Sequence, residues 1–208
     1  MISNISEHDP ECTVQPNKTV KDGEDVVLTC TINLDTNAPG DLVWLKNGKE
    51  VSRKEGQNNT WETQLNRSDD NAIFDCQLQH YTLPPGSEIS CGDKIQADVQ
   101  YLSVFNMAVT PSTTVKERER FTIDYTAQDG NPGPSNMTLS REEEIVISND
   151  GLDIRYTISR ISKLESGVYK CEANTEFYDG SYEYWSREKR IVVHSEYIFS
   201  SGQSLRYH

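Results

Sequence analysis

The sequence predicts an all-β chain built as two tandem β-sandwiches, and three observations lead to this prediction. The 208 residues suffice for two domains of about 100 residues each. The chain also aligns with itself at an offset of 95 residues, so that Asp70-x-Ala-x-Phe-x-Cys76 meets Glu165-x-Gly-x-Tyr-x-Cys171. Short apolar–polar alternations are separated by turn sequences, and no segment carries a helical apolar stripe.

Both copies contain strands of period 2. In the first copy, residues 25–33 place Val26, Leu28, Cys30 and Ile32 on one face. In the second, Ile154, Tyr156 and Ile158 alternate in the same way. Sequences rich in Gly, Pro, Asn and Asp punctuate these runs and predict turns, at residues 37–40, 47–48, 84–86, 129–134, 149–151 and 179–180.

The charge of the chain excludes two classes of function. Twenty basic and 33 acidic residues give a net charge of −13, which excludes a nucleic-acid binder that neutralises phosphates. It also argues against a polybasic protein of the membrane surface. No run of 18 apolar residues and no cationic start followed by an apolar stretch are present. We therefore expect a mature ectodomain fragment without direct membrane contact, or a naturally secreted form.

Cysteines and glycosylation sequons indicate an oxidising, extracellular location. The five cysteines show no Cys-x-x-Cys spacing and do not group with the four histidines, so we expect no structural zinc or other metal. Five Asn-x-Ser/Thr sequons predict N-glycosylation. A secreted or cell-surface glycoprotein accounts for both patterns. The sequon asparagines are Asn4, Asn17, Asn58, Asn66 and Asn136.

The first copy resembles the immunoglobulin fold. Cys30 is followed fourteen residues later by Trp44, and then by the Asp70-to-Cys76 pattern. In that fold the B- and F-strand cysteines bridge the two sheets and a C-strand tryptophan packs on the bridge. The gap of 46 residues between Cys30 and Cys76 resembles the I or C2 type, without the extra C″ strand.

The resemblance implies two disulfides in a first domain, residues 1–101. Cys30–Cys76 is the inter-sheet bridge. Four cysteines allow three connectivities, and the immunoglobulin topology, which brings the start of the first and last strands to one end, favours Cys12–Cys91 for the second. This bridge either staples the domain or holds the loop of residues 81–90 rigid for a partner.

The second copy, residues 102–195, departs from the pattern. Tyr125 stands at the B-strand cysteine position and Leu139 at the tryptophan position, so Cys171 has no bridge partner. We expect Cys171 to be a buried, inert free thiol. The pattern ending at Cys171 still resembles the corner between strands E and F, where Tyr169 supplies the phenol. Residues 196–208 have the composition of a linker or disordered tail.

No motif in the chain points to catalysis or to a cofactor. No nucleophile elbow, His-Glu-x-x-His, phosphate-binding loop or EF-hand pattern occurs. The acidic clusters Asp69-Asp70 and 142–144 are interpreted as solvated, with weak calcium binding as the alternative. Immunoglobulin-like lectins for sialic acid need an F-strand arginine, and residues 72–80 contain none.

Strand alternation in the first domain predicts a protein-binding face. If Trp44 points inward, Val43 and Leu45 point outward, as do Ile73, Gln77 and Gln79 on the neighbouring strand. Sequons Asn17, Asn58 and Asn66 lie elsewhere, so this face is bare of sugar. The alternative is that a C′ segment or loop covers these apolar residues. The predicted partner-binding residues are Val43, Leu45, Ile73, Gln77, Gln79 and Tyr81.

An aromatic cluster flanks a predicted hairpin turn at Asp179-Gly180 in the second domain. Alternation places half of these rings in the core. The others either pair across strands, bind a partner or pack on a further domain. The cluster comprises Phe177, Tyr178, Tyr182, Tyr184 and Trp185.

The whole pattern is similar to the ectodomains of nectin-like and kirre/nephrin-like cell-adhesion proteins. The resemblance implies adhesion or recognition through the C, F and G strands of the first domain, with a weak homodimer or a related immunoglobulin-domain protein as partner. The alternatives are a cytokine or growth-factor receptor ectodomain that binds a soluble protein, and a secreted immune or decoy binder. Self-association distinguishes the first hypothesis from the others.

Overall fold

A computed structural model describes residues 9–33, 40–80 and 87–195. The predictions for Asn4, Tyr81 and the tail 196–208 lie outside these ranges. The chain divides into two compact units, Met1–Tyr101 with Phe177–Asp179, and Leu102–Glu176 with Gly180–His208. Within the described ranges, no helix is both long and apolar enough to cross a bilayer.

The described residues of unit 1 form ten short strands in two packed layers. One layer is the sheet β1-β3-β6, and the other is the sheet β5-β4-β7-β8, in which β9 also pairs with β7. β2 pairs in parallel with β10. The strands are β1 (Glu11–Gln15), β2 (Thr19–Lys21), β3 (Glu24–Thr31), β4 (Gly40–Lys46), β5 (Lys49–Glu55), β6 (Asn58–Leu65), β7 (Ile73–His80), β8 (Ile89–Ser90), β9 (Ile95–Gln96) and β10 (Asp98–Gln100).

Unit 2 repeats this arrangement. Its layers are the sheets β11-β13-β16 and β12-β18-β17-β14-β15, and β12 pairs in parallel with β18. The prediction of two tandem β-sandwiches is therefore confirmed. The strands are β11 (Val104–Thr110), β12 (Thr114–Lys116), β13 (Phe121–Gln128), β14 (Asn136–Arg141), β15 (Glu144–Asn149), β16 (Asp153–Ile158), β17 (Gly167–Glu176) and β18 (Tyr182–His194).

The core of unit 1 forms around a bridge between its sheets. Cys30 on β3 and Cys76 on β7 form a disulfide with a Cα–Cα distance of 6.3 Å. Trp44 is fully buried in the same cluster, as the sequence predicted. Inward residues of both sheets complete the cluster by period-2 alternation. They include Val26, Leu28, Ile32, Leu42, Phe74 and Leu78.

Unit 2 joins its sheets without a disulfide, by packing and by a hydrogen bond from Lys189 of β18 to the Met107 carbonyl of β11 at 2.7 Å. Tyr125 on β13 is fully buried and stacks on Phe105 at 5.9 Å and on Trp185 at 5.5 Å, measured between ring centroids. Phe105 and Trp185 stack at 4.9 Å. Cys171 is buried and free, and it lies opposite the buried Leu139 in the ladder between β14 and β17. Three stacked rings thus occupy the level at which unit 1 has its disulfide.

A short 3₁₀ helix connects β6 to β7 in unit 1 and β16 to β17 in unit 2. These helices are Arg67–Asp69 and Lys163–Glu165. In each, the carboxylate of the third residue accepts a hydrogen bond from the backbone amide of the residue that caps the helix. Asp69 therefore matches Glu165, whereas the sequence offset had paired Asp70 with it. The Tyr169 hydroxyl donates to the Glu165 carbonyl at 3.0 Å, which is the predicted corner phenol.

The two-residue turns that join β4 to β5 and β14 to β15 have similar backbone conformations but different residues. In unit 1 it is Asn47-Gly48, with φ of 50° and 78°. In unit 2 it is Glu142-Glu143, with φ of 46° and 70°. The left-handed region is open to glycine but costs other residues roughly 1–2 kcal/mol. Glu142 compensates through its carboxylate, which accepts from the Val168 amide at 2.8 Å.

Replacing Glu143 with glycine is expected to stabilise unit 2. The change Glu143→Gly removes left-handed strain and leaves the Glu142 hydrogen bond in place, so the free energy of unfolding rises by about 1 kcal/mol. Urea denaturation combined with hydrogen exchange of β17 peptides measures the change within unit 2.

The reverse substitution in unit 1 is the matched control. No atom lies within 4 Å of a Cβ built on Gly48, so Gly48→Glu tests backbone conformation alone. It is expected to destabilise unit 1 by a similar amount. Equal stabilities of the wild type and Glu143→Gly would contradict the strain in the Glu142-Glu143 turn.

Cys171 is expected to resist thiol reagents in the native protein. Burial raises the pKa of its thiol to about 12, and the thiolate is the reactive form. At pH 8 a thiol reagent should label the chain only as fast as unit 2 unfolds, and once per chain in denaturant. Above the ordinary thiol pKa of about 8.5 the unfolded state gains stability by ionising, so unit 2 loses stability as pH rises toward 12. Fast stoichiometric labelling of the native chain at pH 8 would contradict the predicted inertness of the Cys171 thiol.

Candidate partner-binding face

The predicted binding residues lie on the outer side of one sheet of unit 1. We call the outward side chains of β5, β4, β7 and β8 the front face. Leu42 and Trp44 of β4 point into the core and are fully buried, so the residues between them and beyond point outward. β4 and β7 are direct neighbours, with Val43 opposite Gln77 and Leu45 opposite Asp75. The structure therefore brings the predicted strands together.

A buried asparagine holds β4 in this orientation. The Trp44 indole donates to the Asn59 carbonyl at 3.1 Å, and the Asn59 side-chain amide donates to the Leu42 carbonyl at 2.9 Å. The Ser52 hydroxyl supplies the remaining bond to the Asn59 side-chain oxygen at 3.1 Å. A buried polar group with all its bonds made fixes one arrangement of the strands it joins. Sequence reasoning missed Asn59, because the middle residue of a sequon carries no signal of burial.

Exposure on the front face differs from the prediction at two positions. Val43 is fully buried and Gln77 is 9% exposed, so the expectation that both are accessible is wrong. Val43 lies between the longer side chains of Arg53 and Gln77 in the strand ladders, and these flank it on the same face. Gln77 pairs with Ser90 of β8, which covers its other side.

Two apolar positions remain accessible on the front face. Ile73 at the start of β7 is 45% exposed, and Leu45 on β4 is half-buried. Gln79 is also half-buried. The backbone amide of Ile73 donates to the Asn47 side chain at 2.9 Å, which holds this end of the strand against the Asn47-Gly48 turn. The apolar part of the face is thus smaller than the prediction and centred on Ile73 and Leu45.

Several charges on and beside the front face form ion pairs. Arg53 donates to Glu50 at 2.7 Å and to Asp41 at 2.8 Å, and these hydrogen bonds raise its pKa. The hydrogen bond from Arg53 in turn lowers the pKa of Glu50. Lys94 pairs with the buried carboxylate of Asp75 at 2.9 Å. Paired charges at the rim of an apolar patch favour specificity and association rate more than affinity.

The second disulfide lies at the edge of this sheet. Cys12 of β1 bonds to Cys91, which follows β8, with a Cα–Cα distance of 5.9 Å. Both predicted disulfides are therefore present. The Cys91 amide also donates to the Cys76 carbonyl at 3.0 Å, so the bridge continues the ladder with β7. It ties the β1 sheet to the region where the last strand is interrupted between β8 and β9.

The described sequons of unit 1 lie away from the front face. Asn17 lies between β1 and β2, Asn58 begins β6 in the opposite sheet, and Asn66 lies between β6 and β7. All three are exposed. Sugars at these sites leave the front face accessible. Within residues 9–33, 40–80 and 87–195, no cluster of His, Cys, Asp and Glu has a metal-binding arrangement.

The aromatic cluster of unit 2 is divided between core and surface. Trp185 packs into the core stack, whereas Tyr182 and Tyr184 point outward and are exposed. Tyr184 lies opposite Asn174 in the ladder between β17 and β18. This division follows the alternation along β18, as the sequence predicted.

Comparison with known proteins follows the fold. Residues 9–80 match the family model described as immunoglobulin domain. This part of the chain is therefore similar to an immunoglobulin domain. A solved structure of mouse nectin-like molecule 4, its full ectodomain Ig1–Ig3, superposes with a TM-score of 0.62 at 21% identity, covering 95% of this chain and 66% of that chain. Both units therefore have the fold of an immunoglobulin-like sandwich.

The curated relatives that the chain matches include cell adhesion molecules. Cell adhesion molecule 2 of Xenopus tropicalis is 23% identical over 180 residues, which covers 79% of this chain. Human cell adhesion molecule 4 is 26% identical over 166 residues, or 74% of this chain. The chain spans about 40% of the length of these relatives. It is thus similar to the nectin-like group that its sequence pattern resembles.

Removing the second disulfide is expected to cost stability in unit 1. The pair Cys12→Ser and Cys91→Ser opens a loop of 79 residues, which should lower the free energy of unfolding by about 2–4 kcal/mol. Urea denaturation measures the loss, and Cys171→Ser, which removes no bridge, is the control. An unchanged unfolding curve would show that the bridge contributes nothing to the free energy of unfolding of unit 1. If the folded variant still binds its partner, the bridge only stabilises the domain. If binding is lost, the bridge serves to hold the loop of residues 81–90 rigid for the partner.

Proposed function

We propose that the chain is an extracellular recognition module that mediates cell–cell adhesion through the front face of unit 1. The observation that carries the proposal is the pair Ile73 and Leu45, accessible and apolar on a sheet that the described sequons of unit 1 avoid. Large apolar side chains rimmed by paired charges are typical of protein-binding sites. The named function of the relatives, cell adhesion, supports the same proposal.

The partner is a protein, either a second copy or a related immunoglobulin-domain chain. The similarity to cell adhesion molecules favours a binding role over an enzymatic one. The contributing residues are Leu45, Ile73 and Gln79, with Tyr81 retained as a sequence prediction. The contact is individually weak, and arrays of chains on two surfaces gain by multivalency.

Bead aggregation tests the proposal directly. The glycosylated chain is displayed on beads at high density, and aggregation is scored with and without soluble competitor. Aggregation that the competitor blocks indicates homophilic binding. Leu45→Arg and Ile73→Arg should each abolish it, because a charge buried without a partner costs more than such a weak contact supplies.

Val27→Arg is the matched control. Val27 is half-buried, like Leu45, but it points outward from the opposite sheet on β3. It should leave aggregation unchanged, and all three variants should keep the wild-type unfolding curve. Normal aggregation by a folded Leu45→Arg variant would discard the face.

Dispersed wild-type beads would favour a heterophilic partner or a soluble ligand. Salt dependence then identifies the charge of that partner. With a net charge of −13, association with a basic ligand should weaken as salt rises, whereas contact between two acidic chains should strengthen.

A further inference from the structure

One edge strand of unit 2 is apolar and accessible. β15 is the last strand of its sheet, and in the described part of the chain it pairs with β14 alone. Ile145 is 69% exposed and Val146 is 36% exposed. An edge strand of this kind offers unpaired backbone groups and apolar side chains to another strand. Such an edge needs protection if the chain is to stay monomeric.

The equivalent edge of unit 1 is protected by charge. β5 reads Lys-Glu-Val-Ser-Arg-Lys-Glu, so five of its seven residues are charged. β15 reads Glu-Ile-Val-Ile-Ser-Asn, with a single charge at its start. Charged side chains are a common device against edge-to-edge pairing. The two units have the same strand at the same edge, and only one of them carries this device.

A sequon asparagine lies directly beside the unprotected edge. The Asn136 side-chain nitrogen, which is the atom that carries an N-linked sugar, donates to the Ser148 hydroxyl and to the Asp150 carboxylate, both at 3.1 Å. Ser148 is on β15, and Asp150 follows it. Ile145 lies three residues before Ser148, or about 10 Å along the strand. Because the register with β14 shifts by one residue between them, the side chains of Ile145 and Ser148 lie on the same outward side of the sheet.

We propose that an N-linked oligosaccharide on Asn136 covers β15 and prevents this strand from pairing with β15 of a second copy. Attachment forms a bond from the amide nitrogen to the anomeric carbon of a lipid-diphosphate-linked oligosaccharide, and one amide proton and the lipid diphosphate leave. The remaining amide hydrogen retains one of the bonds to Ser148 and Asp150. The sugar thus begins at the edge and is bulky enough to lie over it.

The test removes the sugar without disturbing Asn136. Thr138→Ala destroys the sequon and keeps the asparagine with its two hydrogen bonds, whereas Thr138→Ser retains the sequon and is the matched control. Each chain is secreted from a glycosylating cell, and occupancy of Asn136 is read by mass spectrometry. Sedimentation velocity then measures self-association. Thr138→Ala is expected to self-associate at a concentration about tenfold lower than Thr138→Ser.

A second substitution identifies the surface responsible. Ile145→Lys adds a charge to the edge and should return Thr138→Ala to the monomeric behaviour of the wild type. Leu45→Arg on the front face should not, which separates this association from adhesive binding. Thr60→Ala, which removes the Asn58 sequon in unit 1, should have no effect. If Thr138→Ala is not secreted, the sugar is instead removed enzymatically from two folded proteins, the wild type and Ile145→Lys. Their self-association is then compared.

Three results would overturn the proposal. The first is a secreted wild-type chain without sugar on Asn136. The second is a Thr138→Ala chain that stays as monomeric as Thr138→Ser. The third is self-association that persists after Ile145→Lys. None of these bears on the front face, because that face is tested by bead aggregation in variants of unit 1.

Discussion

The join between the two sheets of each sandwich is the constraint on which the remaining structure depends. In unit 1 this join is covalent, since Cys30–Cys76 links β3 to β7 beside the buried Trp44. In unit 2 the stacked rings of Phe105, Tyr125 and Trp185 take its place. Two of these pairs, Phe105–Trp185 and Tyr125–Trp185, cross between the sheets, and at about 0.5–1.5 kcal/mol each beyond their buried area they approach the low end of the 2–5 kcal/mol of a native disulfide. Two different chemistries thus support one fold.

The inward direction of Trp44 also determines what the surface offers. Once its ring is fixed against the bridge and bonded to Asn59, period 2 assigns every other residue of β4 and its neighbours to the outside. The accessible pair Leu45 and Ile73 is therefore a consequence of core packing. A change in the core that turned β4 by one residue would place its front-face side chains in the core and its core side chains outside.

The sequence was informative wherever a short pattern sufficed. The repeat and strand alternation predicted the sandwiches from residue type and parity, whereas both disulfides and the free Cys171 followed from the resemblance to the immunoglobulin fold. Parity does not say what covers a side chain. Val43 was therefore assigned to the correct face, but its burial beside Arg53 was missed. The ion pair between Lys94 and Asp75 was missed for the same reason. Lys94 lies in the segment between β8 and β9, where strand alternation does not apply.

The position of the Cys12–Cys91 bridge has a mechanical consequence. Tension applied to the two ends of unit 1 enters near Cys12 and passes through the bridge to Cys91, so residues 13–90 lie outside the loaded path. Unit 2 has no covalent bypass. Its first strand, β11, is held by antiparallel pairing with β13, and behind it β12 pairs in parallel with β18, whose hydrogen bonds are sheared together instead of being opened one at a time. Under a pulling force the first unit is nearly inextensible, and the second is the one that can lengthen.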